Sequence, residues 1–529
     1  MTDFFYLKKY LQEHKYYQFE EKILFELESH PDYPSLVAIV DVFNYYDIEN
    51  IAARIDQSEL INLPETFLSV FCTHTGNEIV YTKKREQNFE IQFANGFIQK
   101  LSRTEYLEGW NGMIVAIEEN ENNEIENNIF SQNIRLFLFG ICIIALFQIY
   151  SINLPNPVLS ISYALTSFAG LLISVFLVRE DLGFNDLSVS RICQASKKTS
   201  CKEVLSSNGA KIFGNLKLSD TSLIYFSVLT VFSVFTIFTN SFVIYSWLAL
   251  FSIPVLFYSI FTQYFIVKKW CVLCLGIAIV LILQILLISI YGFNTAILSL
   301  TVLKKVVPFL FVFALTSFAF LEIKRLVKQG LVNKSIEVKH NQIKRKYTVF
   351  KALADTDESI NQYTLEEMEA IVIGQDNAPI ELNAVISASC IHCHKVYQNL
   401  IKLWNKNPEQ LKIRLVFNIN AENVNNPYNV IYKQAVSYYL SGDQDKVMAL
   451  LHDWHIQRMD FEKWKSRWIN DKSEIGTEII QHQYHWCLEN KIFHTPAIIL
   501  NGQLMPNEYE VHELNFFIDN LIKEKTPVL

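Results

Sequence analysis

Lys268-Lys269-Trp270-Cys271-Val272-Leu273-Cys274-Leu275-Gly276 marks the point where a charged edge gives way to a stretch without charges, from Trp270 to Leu303. Two thiols three residues apart lie on one face of a helix. This helix is apolar enough to enter a bilayer, so the pair sits at a membrane boundary. Outward from it, charges are also absent from Leu136 to Val178, from Thr221 to Val267 and from Val306 to Leu321, while both chain ends are rich in them. A spanning helix needs roughly 20 apolar residues. The pattern therefore predicts six helices, at about 134–153, 158–178, 222–240, 243–266, 271–291 and 303–322, with tight breaks at Asn153 to Pro157 and Thr239 to Ser241.

The rest of the composition agrees with this reading. Of 529 residues, 50% are apolar, and the mean hydropathy is +0.17. A net charge of -8 without a basic stripe gives no reason to expect nucleic-acid binding. The first residues are charged and aromatic and do not read as a cleavable signal, so the first membrane helix is expected to do the targeting. Residues 1–120 read as a soluble α+β domain, with helices over 3–28 and 34–46 and strands near 67–71, 77–83, 88–93 and 113–117. A linker follows at 121–133, where the acidic, Asn-rich run offers little to bury. The transmembrane domain is 134–322, a basic helical connector is 323–364, and a second soluble domain is 365–529.

Six of the nine cysteines form three close pairs: Cys193 with Cys201, Cys271 with Cys274, and Cys390 with Cys393. Two of these are C-x-x-C, a spacing that suits redox exchange or zinc. Cys72, Cys142 and Cys487 have no close partner and read as packing residues. In the last domain, strand 382–387 leads into Cys390-Ile391-His392-Cys393 at a helix start, and strand 413–418 follows. A helical stretch over about 427–490 comes next, then Thr495-Pro496, strand 497–500, an Asn501-Gly502 turn and a closing helix. Cys390 at a helix N-terminus is placed to hold a thiolate. His392 can add positive charge or a hydrogen bond. A zinc knuckle is the competing reading of this pair.

Residues 375–525 resemble the thioredoxin superfamily, and within it the DsbA-like branch, with Ile391 where that branch has proline. The resemblance implies that Cys390 is the attacking thiol and Cys393 the resolving one. It also implies that Pro496 is a cis-proline facing the dithiol, which keeps the backbone open for substrate.

Cys193 and Cys201 lie in the 179–219 connection, which is too polar to span. Folded over the bundle, this pair would relay electrons to Cys271 and Cys274, and a static staple is the alternative. The run Cys201-Lys202-Glu203-Val204-Leu205-Ser206-Ser207, then Phe213-Gly214, then Cys271 and Cys274 two helices later, resembles the vitamin K epoxide reductase (VKOR) family. The resemblance covers about 158–322 and implies a four-helix core in which the helix dithiol passes two electrons to a quinone, menaquinone or ubiquinone, with no metal. Cys274 would lie next to the ring, with Ser207 and Phe213 as further contacts. Some relatives carry a tyrosine where this chain has Ala278.

His30-Pro31-Asp32-Tyr33-Pro34-Ser35-Leu36, Asn44 to Asn50, Leu63-Pro64 and Trp110-Asn111-Gly112 resemble the papain-like peptidase domains of bacteriocin exporters. Such peptidases need a cysteine at an early helix start, and none precedes Cys72. The expected role is binding of a leader or bacteriocin-like peptide, with a purely structural role as the competitor.

Together these readings predict a multi-domain chain: an all-α membrane bundle flanked by an α+β papain-like domain and an α/β thioredoxin-like domain. Its expected work is to make disulfides in extracytoplasmic proteins with free cysteines and to pass electrons to the membrane quinone pool. Running in reverse as a reductase or isomerase, or acting as an accessory for peptide export, are the alternatives. Disulfides persist in oxidising compartments, so the expected location is the bacterial inner (cytoplasmic) membrane, with the redox domains outside. The charge rule points the other way, because the 179–219 loop carries seven Lys/Arg against four Asp/Glu.

Overall fold

A computed structural model describes residues 4–120, 157–235, 242–291 and 300–525, apart from 75, 86–87, 185–192, 194–198, 214–215, 356–359, 361–364, 366 and 470–475. The helix expected at 134–153, the 121–133 linker and Cys142 lie outside the described residues. The chain divides into two units, Met1–Leu27 with Pro34–Glu337, and Glu28–Tyr33 with Val338–Leu529.

In the first unit, helices α1 (Phe5–Glu13), α2 (Glu20–Glu28) and α3 (Leu36–Tyr45) precede a six-stranded antiparallel sheet. Its strands are β1 (Asn50–Arg54), β2 (Thr66–Thr73), β3 (Gly76–Lys84), β4 (Asn88–Gln92), β5 (Ile98–Ser102) and β6 (Trp110–Ile117), in the order β1-β6-β2-β3-β4-β5. Alternate residues of the strands fill one core with Phe67, Phe71, Val80, Phe89, Ile91 and Ile114. A short helix α4 (Arg103–Gly109) enters through a capping box between Ser102 and Glu105. Strands β1 and β5 had no expected counterpart, because both are short, edge-placed and largely exposed, with no apolar alternation to read.

The apolar helices follow: α5 (Pro157–Asp181), the short loop helix α6 (Cys201–Ser206), α7 (Leu218–Phe235), α8 (Phe242–Phe261), α9 (Val272–Tyr291) and α10 (Leu300–Lys344). A small hairpin, β7 (Lys211–Phe213) with β8 (Leu216–Lys217), precedes α7. Among the described residues four helices are long and apolar enough to cross a membrane. The sequence reading needs correction at two ends. Helix α7 begins at Leu218, before the charge of Asp220, because that carboxylate accepts the backbone N–H of Lys217. Helix α10 does not stop at 322 but runs on to Lys344, 45 residues in all. Leaving the bilayer does not break backbone hydrogen bonds, and the first proline after Leu321 is Pro379, well past the end of the helix. At 1.5 Å per residue α10 is ~68 Å long.

In the second unit, α11 (Tyr347–Ala354) leads to a five-stranded sheet of β9 (Ile371–Ile373), β10 (Ile380–Ile386), β11 (Leu411–Phe417), β12 (Ala497–Leu500) and β13 (Gln503–Leu504), in the order β13-β12-β10-β11-β9. Strands β10 and β11 are parallel and the other pairs antiparallel. The central strands β10 and β11 are buried along nearly their whole length, as expected of strands covered on both faces, although Glu381, Asn383, Lys412 and Arg414 interrupt their apolar sequence. Helix α12 (Ile391–Lys406) crosses from β10 to β11. Helices α13 (Asn429–Leu440), α14 (Gln444–His455), α15 (Phe461–Trp468) and α16 (Thr477–Glu489) fill the interval to β12, and α17 (Ile518–Lys525) closes the chain. Asn501 and Gly502 take positive φ of 48° and 89° in the β12–β13 hairpin. This is a thioredoxin-type sheet with a helical insertion. Strand β9 is three residues long, too short to stand out in the sequence.

Candidate redox centres

Four of the cysteines meet in one buried cluster of the first unit: Cys193, Cys201, Cys271 and Cys274, packed with Leu177, Val204 and Leu205. Cys193 and Cys201 are joined in a disulfide, and Cys271 and Cys274 are thiols. The loop is tied to the helix turn by several bonds. Ser200 donates its N–H to Trp270 O at 3.1 Å, Thr199 pairs with Trp270, and Lys269 forms an ion pair with Glu203. Helix α8 ends in a π-helical turn over Thr262–Val267, and Lys268 then takes a left-handed conformation at φ 58°. Gln263 in that turn accepts the N–H of Cys271 on Oε1 at 2.9 Å, and Cys274 N–H donates to Cys271 Sγ at 3.4 Å. Gln263 carried no signal in the sequence, since its role exists only once the turn has folded.

Beside Cys274 lies an apolar cavity of about 180 Å³, lined by Leu177, Tyr225, Phe226, Leu248, Phe251, Ala278 and others. Ser222 and Ser252 on its wall give their hydroxyls to their own helices, whereas the buried hydroxyl of Tyr225 makes no hydrogen bond of good geometry. An apolar slot with a thiol on its wall suits a flat, mostly apolar group such as a quinone head. Ser207, expected to contact the ring, donates its hydroxyl to Val204 O at 2.7 Å and does not line this cavity. The side chain of Phe213 lies outside the described residues.

A charge network joining the end of α5, the start of α7 and the middle of α10 was also missed. Lys324 pairs with Asp220 and reaches Asp181 at 4.0 Å, and Lys217 pairs with Asp181. The side chains of Asp220, Asp181 and Lys324 are 2%, 4% and 9% exposed. Three of the four members come from segments distant in sequence, which is why periodicity did not reveal them.

In the second unit Cys390 is the N-cap of α12, half-buried, and its Sγ–H donates to Thr495 O at 3.3 Å. The Thr495-Pro496 bond is cis, so Pro496 stands where the thioredoxin order expects it. Cys393 is fully buried, and its sulfur accepts the N–H of Ser387 at 3.4 Å. Partial burial works against a Cys390 thiolate, yet hydrogen bonds from Cys393, Thr495 and the backbone of His392 outweigh it and hold the pKa below the usual thiol value. Burial and the neighbouring Cys390 push Cys393 up to about 12. The contribution of His392 thus comes through its N–H, while its side chain is exposed. Cys487 is buried, as a packing residue should be. Cys72 is exposed on β2, with its Sγ–H directed to Asn77 Oδ1 at 3.1 Å, so it is not a packing residue.

Residues 161–289 match the vitamin K epoxide reductase family. The VKOR segment takes in both membrane dithiols and the cavity, and it supports a membrane protein with a thiol–disulfide redox role. No curated protein matches the chain. Solved structures similar to it include BdbD from Bacillus subtilis in its oxidised form, at 13% identity and TM-score 0.25, covering 32% of this chain and 97% of that one. The thiol-disulfide exchange protein alpha-DsbA2 from Wolbachia pipientis is similar at 17% identity and TM-score 0.24, covering 33% and 96%. The catalytic domain of Proteus mirabilis ScsC is similar at 16% identity and TM-score 0.24, covering 30% and 88%. The thioredoxin-like assignment itself rests on the sheet order, the N-cap dithiol and the cis-proline described above. The chain therefore joins a segment that matches the VKOR family to a domain with a thioredoxin-type sheet.

Proposed function

We propose that the chain is a membrane disulfide-generating oxidoreductase. The observation that carries the reading is the single buried cluster in which the loop disulfide meets the thiols of Cys271 and Cys274. In the cycle, a substrate thiolate attacks Cys390 Sγ of the Cys390–Cys393 disulfide, and Cys393 leaves as a thiolate and takes a proton. The second substrate thiol, as thiolate, displaces Cys390 and closes the substrate disulfide. The reduced pair then exchanges with Cys193–Cys201, and that pair in turn with Cys271 and Cys274. The lowered pKa of Cys390 makes it a good leaving group, which favours oxidation of the substrate. A quinone, menaquinone or ubiquinone, held beside Cys274 by the apolar wall and the Tyr225 hydroxyl, supplies a sink for two electrons and two protons.

The redox centres are assigned to the extracytoplasmic side of a bacterial inner membrane, because their disulfides need an oxidising compartment. The charge count of the 179–219 loop opposes this side, and of its seven basic residues Lys217 is bound to Asp181. Substrates are proteins with free cysteines. The sheet domain at the N-terminus is assigned to binding a leader or bacteriocin-like peptide, with alanine substitutions over Tyr33 to Leu36 expected to weaken that binding.

The test is acid-trapped alkylation of Cys390 and Cys393 in growing cells, comparing the native chain with Cys274→Ser. A pair that is oxidised natively and accumulates reduced in the variant supports the reading. If the pair is instead reduced natively and oxidised in the variant, electrons run the other way and the chain is a reductase.

A further inference from the structure

Behind the Cys390–Cys393 dithiol, three titratable side chains form one hydrogen-bonded line. His394 directly follows Cys393 on α12 and is half-buried, and its Nδ1 lies 3.0 Å from Nδ1 of His455 at the end of α14. On the far side of that ring, Nε2 lies 3.1 Å from the hydroxyl of Tyr432 on α13. His455 is 1% exposed and Tyr432 is 0% exposed. Tyr397 stacks on the His455 ring with centroids 4.8 Å apart, and Tyr432 stacks on Phe417 at 3.8 Å, in the same core as Cys393.

Two Nδ1 atoms can share a hydrogen bond only if one carries a proton and the other does not. The surroundings favour that neutral arrangement. Burial, and then the charge of Arg458, hold His394 below its usual range, while burial and His394 push His455 down to about 3. Burial, followed by Cys393, Cys390 and Tyr397, keeps Tyr432 protonated. Each member therefore holds one donor and one acceptor, the arrangement that passes a proton without storing a charge.

Cys393 needs such a route. Its sulfur gains a proton when it leaves as a thiolate and must lose one before it can attack, and it is fully buried. A buried carboxylate would serve, but the two among the described residues of this unit are committed elsewhere. Asp453 binds Trp468 Nε1 and Arg467, and Glu513 binds Lys344.

We propose that His394, His455 and Tyr432 form a proton relay that serves the sulfur of Cys393. This rests on the thiol-exchange reading above and names the route its protons take. When Cys393 leaves as a thiolate, the Tyr432 hydroxyl supplies a proton to its sulfur, directly or through one water. His455 Nε2–H reprotonates Tyr432, His394 Nδ1–H reprotonates His455 at Nδ1, and water protonates His394 at Nε2. The reverse sequence removes the proton before Cys393 attacks the mixed disulfide at Cys390 and expels the partner thiolate. None of the three touches substrate, so they position and move a proton for Cys393.

The test uses the full-length reduced chain in detergent, mixed with excess oxidised glutathione, quenched in acid, and read by mass at the peptide carrying Cys390 and Cys393. Tyr432→Phe and His455→Gln are compared with the native chain. Gln keeps a donor and an acceptor for both neighbours but does not pass protons. The mixed disulfide at Cys390 is expected to form at the native rate within about twofold and to close about a hundredfold more slowly in either variant, the low end of the 10²–10⁴ typical of acid–base catalysis. Closure at the native rate in both variants overturns the relay. Equal slowing of formation and closure also overturns it, because that marks a packing effect. If the native chain forms no mixed disulfide at Cys390 at all, the thiol-exchange reading falls first and takes the relay with it.

Discussion

Replacing Cys393 with alanine removes the side-chain donor that helps hold the Cys390 thiolate. A hydrogen bond to a charged acceptor contributes about 1.5–3 kcal/mol, equivalent to about one to two pKa units at 1.36 kcal/mol each. Cys390 is half-exposed and a thiol is a weak donor, so the low end applies. The pKa of Cys390 should therefore rise by about one unit. Its thiolate fraction, and with it the alkylation rate, should fall about tenfold at any pH well below that pKa. The assay is quenched iodoacetamide labelling of the full-length chain across a pH series, read by mass at the Cys390 peptide. In the reduced native chain Cys393 should resist labelling, because a thiol at about 12 is almost wholly protonated at neutral pH. Superimposable pH curves for native chain and Cys393→Ala would refute the argument that Cys393 supports the Cys390 thiolate.

Three further outcomes follow from the same geometry. His455 has a folded pKa of about 3 against 6.5 unfolded, so the stability it contributes is full above 6.5 and is lost as pH falls towards 3; His455→Phe should flatten that acid limb of the melting-temperature profile. Lys324→Met strands the buried carboxylate of Asp220 and should cost about 3–5 kcal/mol in detergent unfolding, whereas adding Asp220→Asn should recover most of it. Ala278→Trp fills much of the cavity beside Cys274; reoxidation by added quinone should fall at least about tenfold, while exchange between Cys390–Cys393 and a substrate peptide stays unchanged.

Local patterns made much of the molecule legible. Charge gaps located the apolar helices, period-two alternation located β2, β3 and β4, and Asn501-Gly502 announced its turn. The three cysteine pairs were visible by spacing, and the position of Pro496 by order along the chain. What stayed hidden depends on contacts across long separations. His394 and His455 are 61 residues apart, and Asp220 and Lys324 are 104 apart. Gln263 became an acceptor for Cys271 only because α8 ends in a π-helical turn. Ser207 was a polar candidate by position, but as the C-cap of a short helix it gives both its backbone N–H and its hydroxyl to Val204 O. Tyr225, inside a helix of apolar residues, carries no sequence signal of the cavity it lines.

The Asp220–Lys324 pair also sets an order of events during synthesis. Lys324 is made 104 residues after Asp220, which at 5–20 residues per second is a delay of about 5–20 s. For that interval α5 and α7 have been made while Asp220 lacks its lysine, and Asp181 has only Lys217. A carboxylate at the end of an apolar helix is costly to bury alone, so burial of Asp220 is favoured only once α10 has brought Lys324 to it. Chains that end before Lys324 would leave that carboxylate without its lysine, a mark that membrane quality control can read as an unfinished molecule.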